Sequence, residues 1–331
     1  MTNYEWRSKP TKQPHPSAAR DKLGKAKQTN VENQTTRQAG IISHMTAPLL
    51  HIAFYKFVAI PDVEATAARL REITQGLHGS ILVAAEGING MLASSAEALD
   101  AFEAALQTDN AFQYDKSDKN DQGHNAFAGI VFKRTECKTK PFARMKVHAK
   151  KEIVPLGISG VDAPGRTADI EKTNVSPQAW RELIQQPDVV LLDNRNSFEY
   201  RLGHFEGALD PDVVNFRNFP EYVKAHAEQW KTDNKKVAMY CTGGIRCEKS
   251  SVWMQDLGLD VYQLEGGVLN YFKAMPDADK DWKGECFVFD NRVALDTHLQ
   301  ETDTTVDDVY AGEPDDAWRL GRAKHLAGRK D

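Results

Sequence analysis

Between residues 174 and 275, short unbroken apolar runs alternate with helix-like segments. VVLLDNR (189–195), KKVAMYC (235–241) and VYQLEGG (261–267) read as strands. A helix start at Asn174-Val-Ser176-Pro177, then EYVKAHAEQW, CEKSSVWMQDLGL and VLNYFKAM, read as the helices between and around them. A strand that is apolar throughout has both faces covered, and strands separated by helices of roughly ten residues run parallel. Ser176 is placed to cap a helix whose first residue is Pro177.

The upstream half follows a different pattern. LLHIAFYKFVAI (49–60) is β-branched and aromatic, hence a strand. Val63, Ala67, Leu70 and Ile73 then recur at helical spacing. GSILVAAEG, a turn at Asn89-Gly90, and MLAS read as a hairpin. Ser95 caps a second helix running to Leu106. After a polar, loop-like insertion (108–125), GIVFKR and MKVHAKKEIV read as strands. The order β-α-β-β-α-β is that of a ferredoxin-like split βαβ unit. The expected organisation is a ferredoxin-like α+β domain over 49–150, a linker over 151–172, an α/β domain with a parallel sheet over 173–277 and a C-terminal extension over 278–331. Residues 300–331 start acidic and end basic, compatible with a short helix. Residues 1–48 are rich in Lys, Gln, Asn, Thr and Pro without any period, so a disordered tail is expected, with Met45 at its end as a candidate alternative start.

The chain of 331 residues carries a net charge of −5. Residues 1–44 hold +5 of this and the remainder −10. A local excess interrupts that acidic body: Lys133, Arg134, Lys138, Lys140, Arg144, Lys146, Lys150 and Lys151 stand against Glu136 alone. A patch, not the total charge, decides whether a polyanion binds. The stretch also carries Phe132, Phe142 and His148, which can stack on unpaired bases. No apolar run approaches the ~20 residues of a membrane helix. The polar N-terminus shows no secretory pattern, and four cysteines are too few for a disulfide scaffold. A reducing, cytoplasmic compartment without membrane contact is therefore expected.

The chemistry is concentrated in Tyr240-Cys241-Thr242-Gly243-Gly244-Ile245-Arg246-Cys247-Glu248-Lys249-Ser250. A cysteine ends a buried strand, a glycine loop follows, and a helix begins. Ligands of parallel α/β sheets bind at the carboxyl ends of strands. Successive loop N–H groups and the helix dipole stabilise an anion there, which lowers a thiol pKa. Arg246 adds positive charge. Cys241 is thus the candidate nucleophile, supported by Gly243, Gly244 and Arg246, with Cys247 as a possible second thiol. Cys137 and Cys286 are isolated and read as structural. No Cys/His grouping has zinc spacing, no iron-binding motif is present, and no glycine fingerprint follows a strand for a flavin or nicotinamide, so neither metal nor cofactor is evident.

Asp193 and Arg195, then Glu199, then Gly203-His204-Phe-Glu206-Gly207-Ala208, the Cys241–Arg246 loop, and Leu264-Glu265-Gly266-Gly267 together resemble a rhodanese domain. In that family the loop cysteine carries a persulfide, which falls on Cys241, and Asp193, Arg195 and Glu199 occupy supporting positions. The full loop CTGGIRCEKSS is more specific. With AAEGINGML (84–92), KVHAKKEIVPLG (146–157) and GECFVFDNRVAL (284–295), it resembles the rhodanese-fused tRNA uridine hydroxylases over about residues 49–298. The resemblance implies oxygen-dependent formation of 5-hydroxyuridine at the wobble position of tRNA. It implies molecular oxygen as co-substrate and a tRNA anticodon loop as partner, met by the basic stretch. Some relatives carry further cysteines after the FVFDNR segment, and residues 299–331 have none. A persulfide-forming sulfurtransferase and a non-catalytic RNA-binding protein remain as alternatives.

Overall fold

The computed structural model describes residues 49–114, 124–161 and 163–327. The expected tail 1–48 and much of the insertion after Thr108 lie outside them.

The first sheet is built from β1 (Leu49–Phe57), β2 (His78–Ala84), β3 (Gly87–Ser94), β4 (Lys133–Cys137) and β5 (Met145–Ala149), in the order β4-β1-β3-β2-β5. Helices α1 (Val63–Ile73) and α2 (Ala96–Thr108) pack on it. Asp62 and Ser95 cap them by accepting from Ala65 N–H and Ala98 N–H. Strand β3 runs antiparallel between β1 and β2, which is the split βαβ arrangement, and β5 adds a fifth strand parallel to β2.

Two local expectations are corrected. The hairpin turns at Ala85-Glu86, while Asn89 and Gly90 lie inside β3. Gly90 is there for close approach: a Cβ would run into the Phe54 ring. Asn89 donates to Ile153 O across 3.1 Å instead of making a turn. The strand expected at GIVFKR begins only at Lys133, since Ile130 and Phe132 pack under the helices.

Strand β1 alternates between two destinations. Ile52 and Phe54 join the core under α1 and α2, whereas His51, Tyr55 and Phe57 face the rest of the molecule.

The segment expected as a linker is packed. Ile153, Val154, Leu156 and Ala163 are buried, and α3 (Thr167–Thr173) forms within it. A seven-residue helix that buries only Ile170 and Thr173 leaves no readable period.

Next come β6 (Asn174–Val175), α4 (Pro177–Leu183), β7 (Val189–Asp193), α5 (Ser197–Leu202), β8 (Gly203–Phe205), α6 (Phe219–Thr232), β9 (Lys236–Tyr240), α7 (Ile245–Asp256), β10 (Asp260–Leu264) and α8 (Gly267–Ala274). A parallel sheet forms in the order β6-β10-β9-β7. The C-terminal part adds β11 (Trp282–Gly284) beside β8, the pair β12 (Cys286–Phe287) and β13 (Ala294–Leu295), and helices α9 (Val306–Tyr310) and α10 (Ala317–Ala327). Arg201 and Asp316, 2.6 Å apart, tie this part to α5.

One apolar cluster runs through both halves. It joins Phe57 and Ala84 to Ile153, Leu156, Leu192, Met239, Cys241 and Cys247.

On β1, His51 is buried with Asp290 and Arg292 beside it and Phe142 stacked on its ring. Burial, reinforced by Arg292 and opposed by Asp290, lowers its pKa to about 4. Between pH 6.5 and 4 the unfolded chain therefore binds a proton that the native state refuses. Stability should be full above pH 6.5 and fall toward pH 4, by on the order of 3 kcal/mol. His51→Gln should flatten that fall in urea titrations; an unchanged pH profile would exclude this histidine as its source.

Candidate active site

Strand β9 ends at Tyr240, and Cys241 opens the loop leading to α7. Gly244 takes φ +102°, open to glycine but not to most residues, and its N–H donates to Cys241 Sγ across 3.1 Å. Burial alone would raise the Cys241 thiol. Hydrogen bonding from the Cys247 thiol, the Arg246 charge and the N–H groups of Cys247 and Arg246 outweigh burial and bring it well below the ordinary value. Cys247 moves the opposite way: burial and the neighbouring Cys241 hold it well above. One sulfur is thus arranged as an anion and the other as its proton-bearing donor.

Arg246 grips Glu199 with two bonds of 2.7 Å. Burial would raise the Glu199 carboxyl, and Arg246 more than offsets it. Glu199 also accepts from Asn196 N–H at the start of α5, so one carboxylate joins that helix to the loop. Asp193 and Arg195 form a second pair behind the loop, fully buried, at 2.6 and 2.8 Å. Tyr240 OH donates to Asp193, and the Arg195 guanidinium lies 5.1 Å from the Trp282 ring centre. The expected residues Asp193, Arg195, Glu199, Gly243, Gly244, Arg246 and Cys247 are therefore gathered around or beneath Cys241. Cys286 is buried, and Cys137 lies beside Arg292.

The basic stretch divides. Lys138, Lys140, Arg144, Lys150 and Lys151 are exposed and Lys146 is half-buried. None of these six is ion-paired among the described residues. Arg134 is bound by Asp100 and Glu103. Lys133 turns inward and donates to Gly243 O and Gly266 O, so it is not a free phosphate contact. Phe132 packs against Phe54 and Phe102, and Phe142 against His51, so neither is a free stacking surface.

Several residues at the site escaped sequence reasoning. Tyr55 OH donates to Glu248 across 2.6 Å. Lys249 is buried and reaches Glu86 and Glu152 at 2.8 and 2.6 Å and Val154 O at 3.0 Å. Phe289, 48% exposed, places its ring 5.8 Å from the Arg246 guanidinium. The signal for Glu86, Glu152, Lys249 and Phe289 was their place in the four separated motifs, which converge on the seam between the sheets. For Lys133 it was the alternation of β4, which turns Lys133, Thr135 and Cys137 to one face; Thr135 and Cys137 meet Arg292 there. Among the described residues, no group of three or more His, Cys, Asp or Glu is arranged to hold a metal ion, and no helix is long and apolar enough to cross a membrane.

Fold and site together define an α/β domain of rhodanese type, with a buried cysteine opening its loop, joined to a split βαβ domain. Residues 176–274 match the rhodanese-like domain family, and residues 49–153 match the UPF0176 acylphosphatase like domain. The chain is 41% identical over 269 residues to the tRNA uridine(34) hydroxylase of Legionella pneumophila (strain Corby), covering 80% of this chain and 94% of that protein. It is 42% identical to a protein of the same name from Nitrobacter winogradskyi, covering 80% and 98%. With that of Synechococcus elongatus it shares 43%, covering 76% and 87%. The chain belongs to the tRNA uridine(34) hydroxylase family.

Proposed function

We propose that this protein hydroxylates uridine 34 of tRNA to 5-hydroxyuridine in the cytoplasm, with molecular oxygen as co-substrate and Cys241 as the reacting sulfur. The observation that carries the reading is that the likeness to the hydroxylases spans both domains, and both domains build one site around Cys241. A sulfurtransferase working through the loop alone has no use for Tyr55 and Lys133 reaching over from the first sheet. Uridine 34 sits in a stacked anticodon loop, so it must be turned out to bring C5 to a buried sulfur. Arg246, Cys247 and the loop N–H groups hold the sulfur anionic. The buried pairs Asp193–Arg195 and Glu199–Arg246 keep the loop in shape.

The test is nucleoside analysis of tRNA from a deletion strain, without and with the gene restored. Loss of 5-hydroxyuridine and its return support the reading. Loss of a thiolated base instead would establish the sulfurtransferase, and no change in any nucleoside would leave a binding protein.

The exposed Lys138, Lys140, Arg144, Lys150 and Lys151, with half-buried Lys146 on β5, are the proposed tRNA contacts. Changing Lys138, Lys140, Arg144 and Lys146 together to alanine should weaken tRNA binding and flatten its salt dependence, by roughly 0.7 in log K per log salt for each phosphate no longer neutralised. The Cys241 thiolate should be untouched, because Lys133 stays in place. Equal salt slopes for both proteins would move the tRNA footprint elsewhere.

A further inference from the structure

Lys133 is the one member of the basic stretch that turns away from solvent, to a place the proposed tRNA contact does not explain. It stands on β4, opposite Ala53 of β1, and crosses from the first domain to the Cys241 loop. Its Nζ lies 2.5 Å from Gly243 O and 2.9 Å from Gly266 O. Both carbonyls belong to Gly-Gly peptides, 243–244 and 266–267, that line Cys241. A Cβ on Gly267 would strike Cys241 O and Gly244 N. Among the described residues Lys133 has no ion pair; its ring neighbour is Tyr55, whose centre lies 5.5 Å from Nζ.

We infer that Lys133 is a positioning residue for the Cys241 thiolate, acting by locking the Gly243–Gly244 peptide with its N–H toward the sulfur. In a trans peptide the C=O and the N–H point to opposite sides. An ammonium holding Gly243 O therefore sends Gly244 N–H the other way, to its 3.1 Å contact with Cys241 Sγ. Glycines on both sides of that peptide leave its plane free to turn, since neither has a side chain to resist. The charge on the carbonyl also polarises the same amide and strengthens its N–H as a donor. The second grip, on Gly266 O, holds the loop after β10 against the loop after β9. The first domain thus acts on the reacting sulfur through the backbone, without touching it.

The titratable groups facing the sulfur and Lys133 are Arg246, Cys247 and Glu248 on α7, Glu199 on α5 paired with Arg246, Glu265 after β10 beside Lys133, and Tyr55 from the first domain. The inference rests on Cys241 being an anionic sulfur, and the experiment separates the two. The ultraviolet absorbance of the thiolate is titrated in the full chain, as the difference from Cys241→Ser. Wild type should titrate well below an ordinary thiol; an ordinary midpoint would overturn the reading of the site itself. Lys133→Gln keeps a donor and loses the charge, and its midpoint should rise by about one pH unit. kcat measured at a pH below the wild-type midpoint should fall roughly tenfold, and far less at neutral pH, while KM for tRNA stays within about twofold. Lys133→Arg keeps the charge and two-carbonyl reach, so its midpoint should lie between the two. If Lys133→Gln does not fold, Lys133→Met, which fills a similar space without charge or donor, takes its place, and a wild-type midpoint in it overturns the inference. A wild-type midpoint in Lys133→Gln overturns the inference. So does a raised KM with unchanged kcat and a reduced salt slope, which would make Lys133 a phosphate contact.

Discussion

Cys241→Ser is expected to abolish 5-hydroxyuridine formation, by roughly a thousandfold or more, while changing stability by less than about 1 kcal/mol. The serine hydroxyl is close in size but does not ionise under conditions where the Cys241 thiol does. The loop donors arranged around an anion, Gly244 N–H first among them, would then face a neutral oxygen. Cys247 cannot take over, because its own environment holds it protonated. Cys247→Ser should keep most of the activity, since a serine hydroxyl can still donate to the Cys241 sulfur. Cys247→Ala, which removes the donor, should raise the Cys241 midpoint. Turnover of unmodified tRNA by the three purified variants checks this. An active Cys241→Ser beside an inactive Cys247→Ser would reverse the roles of the two thiols.

Asp193→Asn should destabilise the protein by about 3–5 kcal/mol, the cost of leaving a fully buried guanidinium without its counter-charge. Arg195 has no access to water, and its remaining partners are Gly203 O and the faces of Tyr240 and Trp282. Replacing both partners, Asp193→Leu with Arg195→Met, should recover much of the loss, because no charge is then left buried. Urea midpoints of the single and double variants measure it. A single variant within about 1 kcal/mol of wild type would show that the pair does not hold the strand end under the loop.

The sequence was most readable where a local rule applied to consecutive residues. The run from Lys236 to Tyr240 is apolar enough for a central strand, and the glycines after it forced a loop before the next helix. Cys241 followed directly, since the end of such a strand is where a parallel sheet presents its chemistry. Ser95 and Ser176 marked helix starts through capping. Asn89-Gly90 misled, because a glycine needed for contact with Phe54 looks the same in sequence as one needed for a turn.

The sequence by itself determined the two kinds of sheet, their order along the chain and the cysteine at the end of β9. These depend on period, apolar run length and turn chemistry within a few residues. Only the tertiary structure decided what Lys133, Tyr55, Glu86, Glu152 and Phe289 do. Lys133 reads as one more cation in a basic stretch, yet it lies 110 residues from the carbonyl it holds. Lys249 likewise looks like an ordinary helical lysine, and its partners Glu86 and Glu152 stand 163 and 97 residues away. Such pairings arise because two sheets share one core, which brings together backbone groups and charges that no local pattern connects.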